Sequence, residues 1–262
     1  MKFDMHCHTR EGSVDAKVGI ESYIRQLMEK GFDGMLVTDH NSYDGYRWFR
    51  DSGIASTLKD SFTVLKGIEY DTCDGGHMVI VLPDGIRCKL LELRGLSVEK
   101  LEKLVHKLGG ILGPAHPYGT GFFALMNNRW VKKHQEIIDK FDFIETFNSC
   151  THQASNSKAK KLAISYKKPQ IAGSDAHKSS FIGTACTVFD KSIRCNNDLI
   201  RAVKEERKIL ACGPIEKLPP KKVNPLIREL GIIGYWIYNK MGALIKLLPR
   251  SRELKSYFSK EI

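Results

Sequence analysis

Lys2-Phe3-Asp4-Met5-His6-Cys7-His8 is an extended-looking run that ends in two histidines one residue apart. Alternate residues of a strand point to one side, so both imidazoles face a single site while Cys7 faces away, toward burial. The same kind of ending recurs downstream. The run 34–38 leads into Thr38-Asp39-His40, and 63–69 closes on Gly67-Ile68-Glu69. His77 follows the glycine pair 75–76 at the head of the run 77–82, 110–115 leads into Pro114-Ala115-His116-Pro117, and 170–174 into Gly173-Ser174-Asp175-Ala176-His177. With 142–147 these make seven expected strands, and six of the nine histidines lie at their ends.

Helix-like stretches fall between them. In 18–30, Ile20, Ile24, Leu27 and Met28 share one side; further helices are expected over 97–108, 129–140, 157–167 and 196–207, the last with Leu199, Ile200 and Val203 on its apolar face. Ser97, three residues before Lys100, is a start signal, and Gly31 and Gly109-Gly110 are stops. Strands alternating with helices predict an α/β fold of parallel strands joined by helical crossovers. Seven strands with short connections suit a barrel, whose chemistry collects at the strands' C-terminal ends. An open doubly wound sheet is the alternative.

Each motif alone has an ordinary explanation: a hydrogen-bonded strand histidine, an Asx turn at Asp39, a loop start at His116-Pro117, a surface Glu69. Their joint placement on successive strand ends argues for one site. Imidazole and carboxylate donors together suit Zn, Mn or Fe, and the seven scattered cysteines offer no closed structural zinc set. So many donors exceed the need of one ion. A centre of two or three ions, with a carboxylate such as Glu69 shared, uses about this number. Ions about 3.5–4 Å apart can bridge a hydroxide and neutralise phosphoryl oxygens during in-line displacement.

In this order, His-x-His, Thr-Asp-His-Asn, Gly-Ile-Glu, a following histidine, Ala-His-Pro and Gly-Ser-Asp-Ala-His resemble the polymerase and histidinol phosphatase (PHP) superfamily, over residues 1–210. The resemblance implies a distorted seven-stranded (β/α)7 barrel and a di- or trinuclear centre of Mn, Zn or Fe. It implies that His6, His8, Glu69 and Asp175 hold one ion, and Glu69, His77 and His116 a second. His40 and His177, with a residue of the 9–16 loop, would hold a third. Asp15 is the expected loop ligand, although it lies seven residues beyond His8, and Glu11 competes with it. The activity expected is hydrolysis of a phosphomonoester or phosphodiester at a centre built on Glu69. His40 or His177 would assist leaving-group protonation where not engaged as a ligand. A small phosphorylated metabolite, nucleotide or short oligonucleotide is the expected substrate. Arg10 and Lys178, each beside a ligand, are candidates to grip phosphate; Tyr118 and Asn148 are weaker pocket candidates.

Two other readings stand beside this one. A metal-dependent amidohydrolase or deaminase also begins with His-x-His on a barrel strand, but the ligands on the second and third strands and the short chain weaken it. A non-catalytic metal-binding regulatory module would show lost ligands, and this set is intact.

The chain has 262 residues, 42% hydrophobic and 27% charged, and a net charge of +11. Its odd cysteine count, without CxxC pairing, argues against a disulfide framework, and no secretory h-region opens it, so a cytoplasmic protein is expected. The charge is uneven: 215–262 carry ten Lys/Arg against four Glu. A boundary near Gly213-Pro214 divides a catalytic domain, 1–214, from a basic helical extension, 215–262. There Leu226, Leu230, Ile233, Ile237, Met241, Leu244 and Leu248 follow helical spacing, interrupted for membrane crossing by Asn239-Lys240. Packing on the barrel or on a second subunit is the first expectation. Peripheral contact with anionic lipid through Arg250, Arg252 and Lys255 is the second.

Overall fold

A computed structural model describes residues 1–58, 61–205 and 209–213, with scattered positions between 224 and 237. The first three strands form as expected. β1 (Lys2–Cys7), β2 (Gly34–Val37) and β3 (Thr63–Asp71) pair in parallel, and α1 (Ile20–Glu29) makes the first crossover. α2 (Asp44–Asp51) and α3 (Ile54–Leu58), which the periodicity did not suggest, connect β2 to β3.

The all-parallel expectation fails after β3. β4 (His77–Val81) returns antiparallel to β3, with Glu69 opposite Val79 and Asp71 opposite His77. The reason is length: residues 72–76, turned at Gly76 with φ of +74°, are too few for a helical crossover. β5 (Ile111–Pro114) is antiparallel to β4, although α4 (Val98–Lys107) lies between them. Ser97 does cap α4, its side chain accepting from the Lys100 N–H. The expected 129–140 helix is broken at His134 into α5 (Arg129–Lys133) and a tighter 3-10 turn, Gln135–Lys140. β6 (Ile144–Asn148), α6 (Gln153–Ser165) and β7 (Gln170–Gly173) then form a parallel unit.

Two strands escaped the sequence reading. β8 (Cys186–Phe189) runs antiparallel to β1, and after α7 (Asn196–Lys204) β9 (Ile209–Cys212) pairs with β8. Both are four residues long, too short for a clear period. The seven-stranded sheet therefore has the order β5-β4-β3-β2-β1-β8-β9, with β6-β7 as a separate pair. It curls into a half-barrel, and the pair meets β1 where the Asp175 N–H donates to the His6 carbonyl at 2.8 Å.

Alternation fills this shape. Leu36, Leu65, Val79, Val81, Ile111, Phe143 and Ile171 point into the interior with Phe3 and Met5, and α7 closes one end with Leu199, Ala202 and Val203. Cys7 packs instead with α1 on the outside, against Ile20, Tyr23, Ile24 and Leu27. The register shift in β1 between Asp4 and Cys7 accounts for this change of face. Tyr23 takes the place expected for Met28, which is 40% exposed.

The basic extension lies largely outside the described residues, as do Met241, Leu244, Leu248, Arg250, Arg252 and Lys255. Of the described positions, 226, 227, 230, 231, 233, 234 and 237 are helical and 224 is not, and Leu226, Leu230, Ile233 and Ile237 are exposed. No helix among the described residues is long and apolar enough to cross a membrane.

Candidate metal centre

Glu69 is fully buried at the interior end of β3, where Leu65, Gly67 and Glu69 share the inward face. The pairing of β3 continues past the end of β2 at Val37, with the Glu69 N–H donating to the Asp39 carbonyl and the Asn41 N–H donating to the Glu69 carbonyl. The two carboxylate oxygens face different histidines. Oε1 lies 3.0 Å from His77 Nδ1 and 3.1 Å from His116 Nε2. Oε2 lies 3.4 Å from His6 Nε2, 3.3 Å from His8 Nε2 and 3.1 Å from His40 Nδ1.

Asp175 completes the group on the His6 side, with Oδ1 3.1 Å from His8 Nε2 and 3.6 Å from His6 Nε2. β7 reaches this position because Gly173 has no side chain. A Cβ there would come within 2.1 Å of the His6 Cβ and 2.6 Å of its backbone nitrogen. Two of the expected ligands, His116 (φ +30°) and Asp175 (φ +52°), occupy the left-handed region. Such a backbone costs on the order of 1–3 kcal/mol and persists where surrounding contacts enforce it.

The third group is more open. Asp15 Oδ2 stands 3.2 Å from His177 Nε2 and 3.7 Å from His40 Nε2, with the Asp15 side chain 53% exposed. Glu11, the competing candidate, is occupied elsewhere: its Oε2 accepts from the Ile20 N–H at the start of α1. The loop is held from below by Asp39, which accepts from the Thr9 N–H, the Thr9 hydroxyl and the Ser13 hydroxyl. Ser13 Oγ in turn lies 3.2 Å from His8 Nδ1, leaving the His8 Nε2 toward Glu69 and Asp175.

Three residues at the site were not predicted as part of it, or only weakly. Glu145, buried on β6, lies 2.9 Å from His6 Nδ1 and accepts from the His116 N–H at 2.6 Å. Asn148, a weak pocket candidate, donates to both Glu145 and Asp175 at 3.1 Å. Glu145 and Asn148 together thus tie the ligands of three strands. Its only sequence signal is strand alternation, Phe143 and Glu145 facing inward, and nothing separates it from a surface glutamate. Asp71, two residues past Glu69, is the third; its carboxylate is buried beside His77 and His40.

Burial and charge oppose each other here. Burial alone would push Glu69 up, but His77, His6 and His40 hold it well below the usual carboxylate range. Burial disfavours a charged His40, yet Glu69, Asp71 and Asp15 raise it to about 10. His6 is likewise raised against its burial by Glu145, Glu69 and Asp175, whereas burial and His40 lower His8. The cluster trades mutual attraction against the several kcal/mol that burying each charge costs.

The donors fit divalent ions. Four groups bring one atom each to within 4.8 Å of one another: His6/His8/Asp175, Glu69/His77/His116, His8/His40/His177 and His40/Asp71/His77. Bonds of about 2.0–2.2 Å imply donor–donor separations of roughly 3.0–3.5 Å, the spacing of the contacts around Glu69. Glu69 Oε2 is moreover buried with no hydrogen bond. A carboxylate oxygen so placed is costly unless something positive meets it.

The substrate-gripping candidates do not join the cluster. Arg10 is 68% exposed and turns to Glu11, 3.5 Å away. Lys178 is exposed beside His177, with no described contact to the ligands. Tyr118 packs partly buried against the outer core cluster. A cavity of about 630 Å³ between β6, α6 and β9 contains none of the ligands and touches the site only through Asn148.

Residues 153–207 match the PHP-associated family model. No curated protein sequence matches the chain. Among solved structures, PsfC from Pseudomonas syringae superposes with a TM-score of 0.56 at 14% identity, over 91% of this chain and 97% of PsfC. A Bifidobacterium adolescentis protein, provisionally assigned as a metal-dependent phosphoesterase, gives 0.51 at 14% identity, over 67% and 87%. Endonuclease Q, solved with a 27-mer duplex bearing an abasic lesion at the active site, gives 0.56 at 16%, over 79% of this chain and 57% of that one.

Proposed function

We propose that the chain is a metal-dependent phosphoesterase of the PHP superfamily. The observation that carries the reading is Glu69. One oxygen meets His77 and His116, the other meets His6, His8 and His40, which is what a carboxylate shared between two ions requires. His6, His8, Glu69 and Asp175 would hold one ion, Glu69, His77 and His116 a second, and His40, His177 and Asp15 a third. Divalent Mn, Zn or Fe bound there would supply Lewis acidity for the attacking water and the transferring oxygens.

The chain's own residues do the rest. Glu145 and Asn148 fix His6, His116 and Asp175, so the donors are set before substrate arrives. Asp39 and Ser13 orient His8 from behind. His40 and His177 face the open side, where either can pass a proton to a leaving alkoxide when not engaged as a ligand. Lys178 on the rim supplies a positive charge near His177, while Arg10 would have to leave Glu11 to take part. The substrate class is a phosphorylated small molecule, a nucleotide or a nucleic-acid end.

The test is turnover of chromogenic phosphomonoesters and phosphodiesters by the full chain supplied with Mn²⁺, Zn²⁺ or Fe²⁺. Turnover that chelation abolishes is expected. No turnover with any of the three, on either ester type, overturns the reading, and cleavage of amides in its place would move the chain to the amidohydrolases.

A further inference from the structure

β6 and β7 stand apart from the main sheet, yet Asp175, just past the end of β7, meets His6 and His8 of β1. Two buried side chains clasp β7 where a backbone ladder would otherwise run. Thr187 Oγ1 of β8 accepts from the Ala172 N–H at 2.8 Å and donates to the Ala172 carbonyl at 2.9 Å. Two residues further on, Asp4 of β1 takes over. Its Oδ1 accepts from the Ser174 N–H at 2.8 Å, and its Oδ2 accepts from the Ser174 hydroxyl at 2.6 Å.

Asp4 and Ser174 are both fully buried. Tyr23 of α1 closes the group, its hydroxyl 2.9 Å from Ser174 Oγ and 3.3 Å from Asp4 Oδ2. The one Ser174 hydroxyl proton goes to Asp4, so Tyr23 is the donor toward both. Asp4 Oδ1 also accepts from the His6 N–H at 3.4 Å, inside the register shift of β1. One carboxylate thus reaches the backbone of a ligand on β1 and of the residue before a ligand on β7.

The β7 side is where this grip counts. Asp175 is held at φ +52°, a backbone that a non-glycine residue keeps only where its surroundings enforce it. Asp4 fixes Ser174 at both its N–H and its hydroxyl, while the Asp175 N–H donates to the His6 carbonyl at 2.8 Å. We propose that Asp4 is a positioning residue: by gripping Ser174 it holds the strained turn that presents Asp175 to the ion shared with His6, His8 and Glu69. The inference rests on the proposed ion at that group. A carboxylate preset in this way gives up little freedom when the ion arrives. Thr187 supplies the internal control, because it clasps the same strand without touching the turn.

The experiment is metal binding by the full chain, not activity: Zn²⁺ or Mn²⁺ titrated calorimetrically against a competing chelator, with thermal melting recorded alongside. Asp4→Asn leaves one acceptor oxygen where Ser174 presents two donors. It should weaken one ion about tenfold. In an Asp175→Ala background, where no carboxylate remains to be positioned, it should weaken that ion no further. Thr187→Val should lower the melting temperature and leave ion affinity as in wild type. Ser174→Ala, which removes only the hydroxyl link, should show a smaller loss with the same dependence on Asp175, and carries the test if Asp4→Asn does not fold. Losses that add in the double variant would overturn the proposal, as would an equal loss in Thr187→Val or Asp4→Asn and Ser174→Ala isotherms identical to wild type. A wild-type chain that binds no ion would instead remove the underlying metal reading, and this inference with it.

Discussion

The donor groups around Glu69 and the group at Asp15 share a mouth but are built differently. Around Glu69 the ligands come from strand ends, are nearly all buried, and are backed by Glu145, Asn148 and Ser13. At Asp15 the carboxylate hangs from a loop, 53% exposed, and His40 and His177 are about a quarter exposed. Rigid, dry donors hold an ion tightly because their desolvation and ordering are complete before it arrives. A solvated donor on a loop loses freedom when it binds and competes with water. On the proposed reading, the inner pair of ions would persist and the outer one would exchange.

The largest effect expected of this contrast is at the shared carboxylate. Glu69→Gln leaves a neutral amide with one acceptor where two ions need a bridging anion. Ion content should fall by two per chain, and esterase turnover by on the order of 10³-fold. Retention of both inner ions, counted by elemental analysis, would break the division between inner and outer seats. Asp15→Asn should be milder. It removes one ion at saturation, spares the inner pair and lowers turnover roughly tenfold. If instead the inner ions weaken as much as the outer one, the groups act as a single unit and the contrast disappears.

The smallest effect is a proton count. His40 is raised to about 10, above its ordinary value, so the stabilisation from its charged form is complete below about pH 6.5. It is lost as pH climbs through 10. An ion needs the neutral ring, so binding must release protons at pH 7 and weaken as pH falls. Calorimetry in buffers of different ionisation enthalpy reads that release. Asp15→Asn should reduce it, because Asp15 helps hold the charge on both His40 and His177.

How much was legible beforehand varies with the kind of signal. His6 with His8, and Asp175 with His177, stand out because a period of two is visible in a single strand. Helix α4 was legible to its cap, since Ser97 acts through residues three positions away. Glu145 and Asp71 were not. Each is an ordinary strand carboxylate until the fold sets it against a histidine from another strand, 139 residues away for Glu145 and His6. Glu11 and Asp15 were both eligible loop acids, and only the start of α1, which takes up Glu11, separates them.

The sequence by itself determined which residues end strands and which donors they carry, because alternation and local caps act over a few positions. The tertiary structure decided the strand directions after Glu69, the insertion of β8 and β9, and the carboxylates that stand behind the ligands. Those depend on how far the chain must travel between elements and on which distant backbones can touch. Gly173 against His6 is the plainest case: a missing Cβ matters only once β7 has met β1.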